Sequence, residues 1–226
     1  MNTDHDPRPR RSQAPMMEGR MARWYARQRA SAPQLEAVEQ LAGRLADGLP
    51  AGAQVLEVAP GPGYLAIELA RRHFTVTGLD ISRTFVELAA VHAKRAGVHV
   101  TLVRGDAAAL PFDAGSFDLV VCQAAFKNFG RPVAVLEEMR RVLRDGGSAV
   151  IEDLNKDATG ADIDEEVAAM RLGRINSFLT KVPLKTMLRR RAFSPADFGR
   201  LAAESAFPEY EISATGVSLV IRLTKA

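Results

Sequence analysis

The stretch VLEVAPGPGYLAIELA, Val55 to Ala70, holds the residue types and spacing most able to do chemistry. An acidic residue, Glu57, stands near the end of a β-branched run. A Gly/Pro turn follows, Ala59 to Gly63, and then a helical pattern. Gly61 and Gly63 permit positive φ and leave room where a side chain would block a ligand. The helix that follows opens with free backbone N–H groups. Such a turn cradles an adenine-nucleotide-like ligand at the carboxyl end of a sheet. A tight strand-to-helix turn that holds nothing is the plain alternative.

Three further segments extend the pattern. Asp80 ends the run FTVTGLD, 23 positions after Glu57. A carboxylate there can accept both ribose hydroxyls, or it can cap the helix that follows Ile81 and Ser82. Asp106 ends the next run, in RGDAAALPF. It can read an adenine edge together with the following backbone N–H, or it can stabilise a turn. FDLVVCQAAFKNF, Phe117 to Phe129, ends a fourth run where ligands sit in open α/β sheets.

Positioning these residues takes alternating elements. Strands are expected at Ala53–Ala59, Phe74–Asp80, Val98–Asp106, Phe117–Gln123 and Ser148–Leu154. Helices are expected at Tyr64–Arg72, Arg83–Ala96 and Arg131–Arg144, the last two closed by Gly97 and by Gly146 with Gly147. Buried-run strands separated by helices predict a parallel sheet covered on both faces. Before them, Met16–Ala30 reads as an amphipathic helix with Met17, Met21, Trp24 and Tyr25 apolar. Gln34–Asp47 reads as a second, with Leu35, Val38, Leu41 and Leu45 on one stripe. After them come a helical stretch at Asp162–Leu179 and a short basic one at Leu184–Arg191. Ser194 and Pro195 then start another helix, and strands follow at Tyr210–Ala214 and Ser218–Leu223.

The chain has 226 residues, 47% hydrophobic and 25% charged, with a net charge of +3. That composition excludes a collagen, a disulfide scaffold and global disorder. No apolar run reaches the roughly 18–20 residues of a membrane span, and the polar first fourteen residues are no secretory signal. Cys122 is the only cysteine, so no intramolecular disulfide or multi-cysteine metal site is expected, and a cytoplasmic setting fits. The mild basicity favours a small substrate over nucleic acid.

Taken together, the motifs at four strand ends resemble class I S-adenosylmethionine-dependent methyltransferases of the small-molecule type. The resemblance is close over Gln54–Leu154 and loose beyond it. The acidic-x-Gly-x-Gly-x-Gly loop falls on Glu57, Ala59, Gly61 and Gly63, with Ala59 in place of the first glycine. The resemblance implies a Rossmann-like, doubly wound seven-stranded α/β sheet whose last strand is antiparallel. It implies S-adenosyl-L-methionine as cofactor, S-adenosyl-L-homocysteine as product, and no metal. The implied cofactor contacts are Tyr25, Glu57, Ala59, Gly61, Gly63, Asp80, Ile81, Asp106, Ala107 and Gln123.

QAAFKNF is also similar to a segment of ubiquinone and menaquinone biosynthesis C-methyltransferases. Lys127 replaces an arginine there and Asn128 matches. A quinone-type precursor is therefore an alternative acceptor, and RNA or another macromolecule a second one. The implied chemistry is direct displacement, with the protein supplying proximity and alignment. Lys127, Glu152 and Asp153 are the candidate bases at strand ends, with Lys127 and Asp153 carried forward as catalytic. Phe126, Lys127, Asn128, Met170 and Phe178 are candidate acceptor contacts. His73, His92 and His99 are expected to be structural, and Cys122 to be a small strand residue.

The expected organisation is a flexible tail over 1–15, a helical cap over 16–48, and a methyltransferase domain over 49–226 with a helical lid at about 157–192. The protein is expected to be a monomer or homodimer with a small-molecule acceptor and no membrane partner. A nicotinamide dehydrogenase would prefer G-x-G-x-x-G and would leave Asp106 unexplained. A methyltransferase acting on the exocyclic amines of nucleic acid would carry an Asn/Asp-Pro-Pro-aromatic after the fourth strand, and QAAF lacks it. A binding protein that had lost turnover would have lost the ribose acid or the glycines, and both are present.

Overall fold

The structure, a computed structural model, describes residues 17–169 and 191–226. Seven strands form one sheet. They are β1 (Gln54–Val58), β2 (Thr75–Asp80), β3 (Thr101–Arg104), β4 (Phe117–Gln123), β5 (Leu143–Leu154), β6 (Glu209–Thr215) and β7 (Ser218–Thr224). Their order is β3-β2-β1-β4-β5-β7-β6. The first five run parallel, and β7 pairs antiparallel with both β5 and β6. This is the doubly wound sheet expected from the sequence, with its last strand reversed. The order turns back on itself between β1 and β4, which opens a crevice at their carboxyl ends.

Side chains alternate along β1 and β4 and feed two cores. Leu56, Val58, Val120 and Cys122 meet Val135, Leu136 and Met139 of α5 (Pro132–Val142) and Phe198 and Ala202 of α7 (Pro195–Glu204). Val55, Leu119 and Val121 face the opposite way. They pack with Val38, Leu41 and Leu45 of α2 (Ala32–Ala46) and Leu65 and Leu69 of α3 (Tyr64–Arg71). Helix α2 therefore belongs to the covering layer of the sheet and not to a separate cap, although Leu35 from its expected stripe is exposed.

Helix α1 (Gly19–Arg29) corrects the expected stripe. It buries Ala22 and Ala26, and Met21 and Trp24 are each 55% exposed. Small residues let α1 lie close on the body, so the large ones face outward. Helix α4 (Arg83–Ala96) is as expected, with Ser82 as N-cap and Gly97 in the left-handed C-cap. Strand β3 is shorter than the pattern suggested, which leaves His99 outside it. Strand β5 starts earlier, at Leu143, with a register shift against β4 between Phe117 and Leu119. Ser194 caps α7 through a full capping box with Asp197. Helix α6 (Gly160–Ala169) begins the region expected to be a lid, and Met170 and Phe178 lie outside the described residues. No described helix is long and apolar enough to cross a membrane.

Candidate functional site

The glycine loop is built by three backbone turns. After β1, Ala59 adopts φ 58°, and its N–H donates to Leu79 O at 2.7 Å, tying the loop to β2. Gly63 N donates to Pro60 O at 3.0 Å. The two glycines serve different needs. Gly63, at φ 83°, caps α3, and a Cβ there would lie 2.8 Å from Ala89 Cβ of α4. Gly61, at φ 54°, faces open space, and its N–H donates to Asp80 Oδ2 at 3.0 Å. The helix-packing demand thus falls on Gly63, and Gly61 is the position open to a ligand.

Asp80 is 5% exposed and braces two turns at once. Its Oδ2 receives Gly61 N, and its Oδ1 receives Ser82 N at 2.8 Å. The helix cap itself is Ser82, whose Oγ accepts Phe85 N at 3.1 Å. Glu57 is 3% exposed and falls on the α3 side of the sheet, beneath the loop. Its Oε2 has no hydrogen-bond partner. Burial pushes the Glu57 carboxyl up to about 8, against the bond from the Ala66 backbone, and the Asp80 charge adds to the rise. Burial also raises Asp80, and Glu18 contributes to it. Neither carboxylate makes an ion pair among the described residues. The pair is a buried acidic centre with no cationic partner among the described residues.

At the end of β3, Asp106 Oδ1 accepts Ala108 N at 2.9 Å, the turn role weighed from the sequence, and Oδ2 lies 3.3 Å from Arg131. Gly105 N donates to Asp80 O at 3.0 Å, which sets the β2 and β3 ends side by side. Ala107 is buried and Ile81 is exposed beside Asp80. Tyr25 meets Phe85 edge-on, with ring centroids 5.9 Å apart. Gln123 is half-buried at the end of β4.

His92 was expected to be structural, and the structure gives it a particular place. Its Nδ1 lies 2.8 Å from Pro62 O, and its ring stacks on Tyr64 at 5.2 Å. The Tyr64 hydroxyl donates to Ala26 O at 3.1 Å. The glycine loop is therefore linked through His92 and Tyr64 to α1. No sequence signal marks that link, because it joins three separated segments.

The region after β4 overturns three expectations. Lys127 Nζ is not presented to solvent. It donates to Asp153 Oδ1 and to Ala124 O, both at 2.6 Å, and the Lys127 and Asp153 side chains are 5% and 4% exposed. Asp153 Oδ2 also accepts Lys127 N at 3.0 Å, and its Oδ1 accepts Leu154 N at 2.7 Å. The two candidate catalytic groups thus satisfy each other. Phe126 is fully buried against Phe129, Phe193 and Phe198, so it is a core residue and not an acceptor contact. Asn128 is exposed. Glu152 pairs with Arg44 at 3.4 Å. Ala124 turns at φ 56°, with its N–H on Glu152 O at 2.7 Å. Cys122 is wholly buried, and burial holds its thiol well above the usual range, so it is no nucleophile. Among the described residues no cluster of three or more His, Cys, Asp or Glu could hold a metal ion.

Residues 55–147 match the family described as "Methyltransferase domain". The chain is 38% identical over 106 residues to a ubiquinone/menaquinone biosynthesis C-methyltransferase of Bdellovibrio bacteriovorus, covering 46% of this chain and 45% of that protein. It therefore spans less than half the length of that relative. It is 27% identical over 177 residues to a ubiquinone biosynthesis O-methyltransferase of Chromobacterium violaceum, covering 76% of this chain and 72% of the other. Among solved structures it is similar to a SAM-dependent methyltransferase of Aquifex aeolicus. The TM-score is 0.68 at 16% identity, over 88% of this chain and 96% of that one.

Proposed function

Residues 55–147 form a class I S-adenosylmethionine-dependent methyltransferase domain, and from that premise we propose that the protein methylates a small organic acceptor. The observation that carries this reading is the buried acidic centre of Glu57 and Asp80 under the glycine loop. Two buried acidic side chains with no cationic partner among the described residues, Glu57 holding its proton up to about pH 8 in the free protein, favour a ligand that brings positive charge over a neutral one. S-adenosylmethionine bears a sulfonium and an ammonium. When bound, it supplies an activated methyl carbon that a nucleophile can displace directly.

The chain's own residues do the rest by placement. Gly61 leaves the loop open, and Asp80 fixes it while offering a carboxylate to ribose hydroxyls. Asp106 and Ala107 stand at the neighbouring strand end for the adenine edge, with Ile81 and Tyr25 as apolar contacts and Gln123 across the crevice. With Lys127 and Asp153 closed on each other, this reading assigns no general base. Proximity and orientation then supply the rate. Quinone precursors are the first acceptors to test, because both relatives carry quinone-biosynthesis names.

Calorimetric titration with S-adenosylmethionine, S-adenosylhomocysteine and NAD tests the cofactor. Micromolar binding of the two sulfur compounds with silence toward NAD is expected. Silence toward both sulfur compounds would remove the reading. A screen of quinone precursors, phenols, amines and thiols with labelled cofactor then reads the acceptor.

A further inference from the structure

We propose that Glu18 is a positioning residue for the cofactor site: its carboxylate latches α1 onto the first turn of α4 and so holds the Asp80 turn in its ligand-binding form. The inference rests on the proposed cofactor reading and adds a residue that no sequence motif marks.

Glu18 occupies the N-cap position of α1 but makes no side-chain bond to α1. It reaches instead to a helix 65 residues further along the chain. Oε1 accepts Arg83 N at 2.9 Å, and Oε2 accepts Thr84 N at 3.1 Å and the Thr84 hydroxyl at 2.5 Å. Thr84 Oγ1 in turn accepts Gly19 N at 3.0 Å. The first backbone donors of α4 are thus satisfied by an acid from another element, at the helix end where negative charge is favoured. The bonds from Thr84 and Arg83 hold the Glu18 carboxyl below its usual range.

The latch continues into the site. Ser82 Oγ donates to Met17 O at 2.9 Å. Ser82 N donates to Asp80 Oδ1, and Asp80 Oδ2 holds Gly61 N. One chain of bonds therefore runs from Met17 and Glu18 through the Ser82–Thr84 turn to Asp80 and the open glycine. Among the described residues α1 is otherwise held by few contacts. Its buried side chains are Ala22 and Ala26, with the Tyr25–Phe85 edge contact, the Tyr64 bond to Ala26 O and a bond from Arg29 to Gln34 of α2. A helix with so little buried apolar area opens easily unless something polar fastens it.

The test uses the full chain with Glu18→Ala and Glu18→Gln, and with Glu87→Gln as a control on the exposed side of α4. Two readouts are taken: affinity for S-adenosylhomocysteine by calorimetry, and trypsin cleavage within α1 at Arg20, Arg23 and Arg27, identified by mass spectrometry. Glu18→Ala is expected to weaken the affinity about tenfold and to speed α1 cleavage both without and with the ligand. Glu18→Gln, which keeps one acceptor, should fall between it and wild type, and Glu87→Gln should match wild type. A purely structural cap would lower the melting temperature and leave the affinity of the folded fraction unchanged, and that result would overturn the proposal. Should Glu18→Ala not fold, Glu18→Gln is decisive by the same criteria. If wild type binds neither sulfur compound, the cofactor reading has failed. Cleavage rates of the ligand-free proteins then decide the latch alone: equal rates refute it, and faster cleavage in the variants sustains it.

Discussion

Two buried pairs stand at carboxyl ends of the same sheet, one a carboxylate with its lysine and the other two acidic side chains, and they are held in opposite ways. Asp153, at the end of β5, has its cation: Lys127 lies 2.6 Å away, and every oxygen of Asp153 accepts a bond. Glu57 and Asp80, at the ends of β1 and β2, have none among the described residues. Glu57 Oε2 accepts nothing, burial and the Asp80 charge raise the Glu57 carboxyl, and burial raises Asp80. A buried ion pair that is already closed is scaffold, because opening it costs several kcal/mol. A buried acidic pair without a cationic partner is the kind of site that the proposed cationic cofactor would fit. The contrast separates the half of the crevice that holds the loop after β4 in place from the half proposed above to bind the cofactor.

The largest expected effect comes from breaking the closed pair. Asp153→Ala strands the Lys127 ammonium and should lower stability by about 3–5 kcal/mol in a denaturant melt. Lys127→Met with Asp153→Leu should recover most of it. A loss under about 1 kcal/mol for Asp153→Ala would mean that Lys127 finds water, and the contrast would collapse.

Asp80→Ala is next. It removes the brace on Gly61 and Ser82 and should weaken S-adenosylmethionine binding by roughly 1.5–3 kcal/mol in a calorimetric titration. Unchanged affinity would reduce Asp80 to a turn brace.

Glu57→Gln sharpens the open side through pH. The folded protein keeps the Glu57 proton up to about pH 8, and the unfolded chain loses it near the ordinary 4.5. Stability from this group is therefore fully present below pH 4.5 and is lost as pH rises through 8. The glutamine variant should match wild type at pH 5 and melt higher at pH 9. The gap opens as pH rises from 5 toward 8, because the glutamine has no proton to lose on unfolding. Equal melting at both pH values would show that Glu57 has found a cation.

The smallest effect compares the backbone at the two ends. Ala59 and Ala124 both turn in the left-handed region, at φ 58° and 56°. Glycine at either position relieves strain of about 1–2 kcal/mol and adds about 0.5–1 kcal/mol of chain entropy cost, for a net gain of ~0.5 kcal/mol by thermal melt. A loss at Ala124 alone would place its methyl group in packing.

The sheet, its helices and the acidic positions were legible because each rests on local signals. Strand ends, Gly61, Gly63, the Gly97 cap and the Ser194 capping box all declare themselves within a few residues. The errors share one physical origin. Lys127 looked available because sequence does not show that Asp153 lies across from it. Phe126 looked like a pocket residue because its partners Phe193 and Phe198 come from another helix and its approach. Trp24 and Met21 looked buried because periodicity finds an apolar stripe but cannot tell when alanines will be preferred for close approach. Glu18 was missed, and the partners of the structural His92 went unread, for the same reason: those partners are distant in the chain.

The placement of β7 carries a consequence for how the protein is made. Strand β7 sits between β5 and β6, and Leu219, Ile221 and Leu223 are core residues. During translation β6 emerges first, with no sheet neighbour to pair with, and the long apolar edge of β5 stays bare beside it. Until β7 is in place the β5 edge has no partner on that side, the state most open to pairing with other chains. Strand β6 joins the sheet only through β7, so both edges are covered once the hairpin of the two docks on β5, and completion of the fold waits for synthesis to pass Thr224.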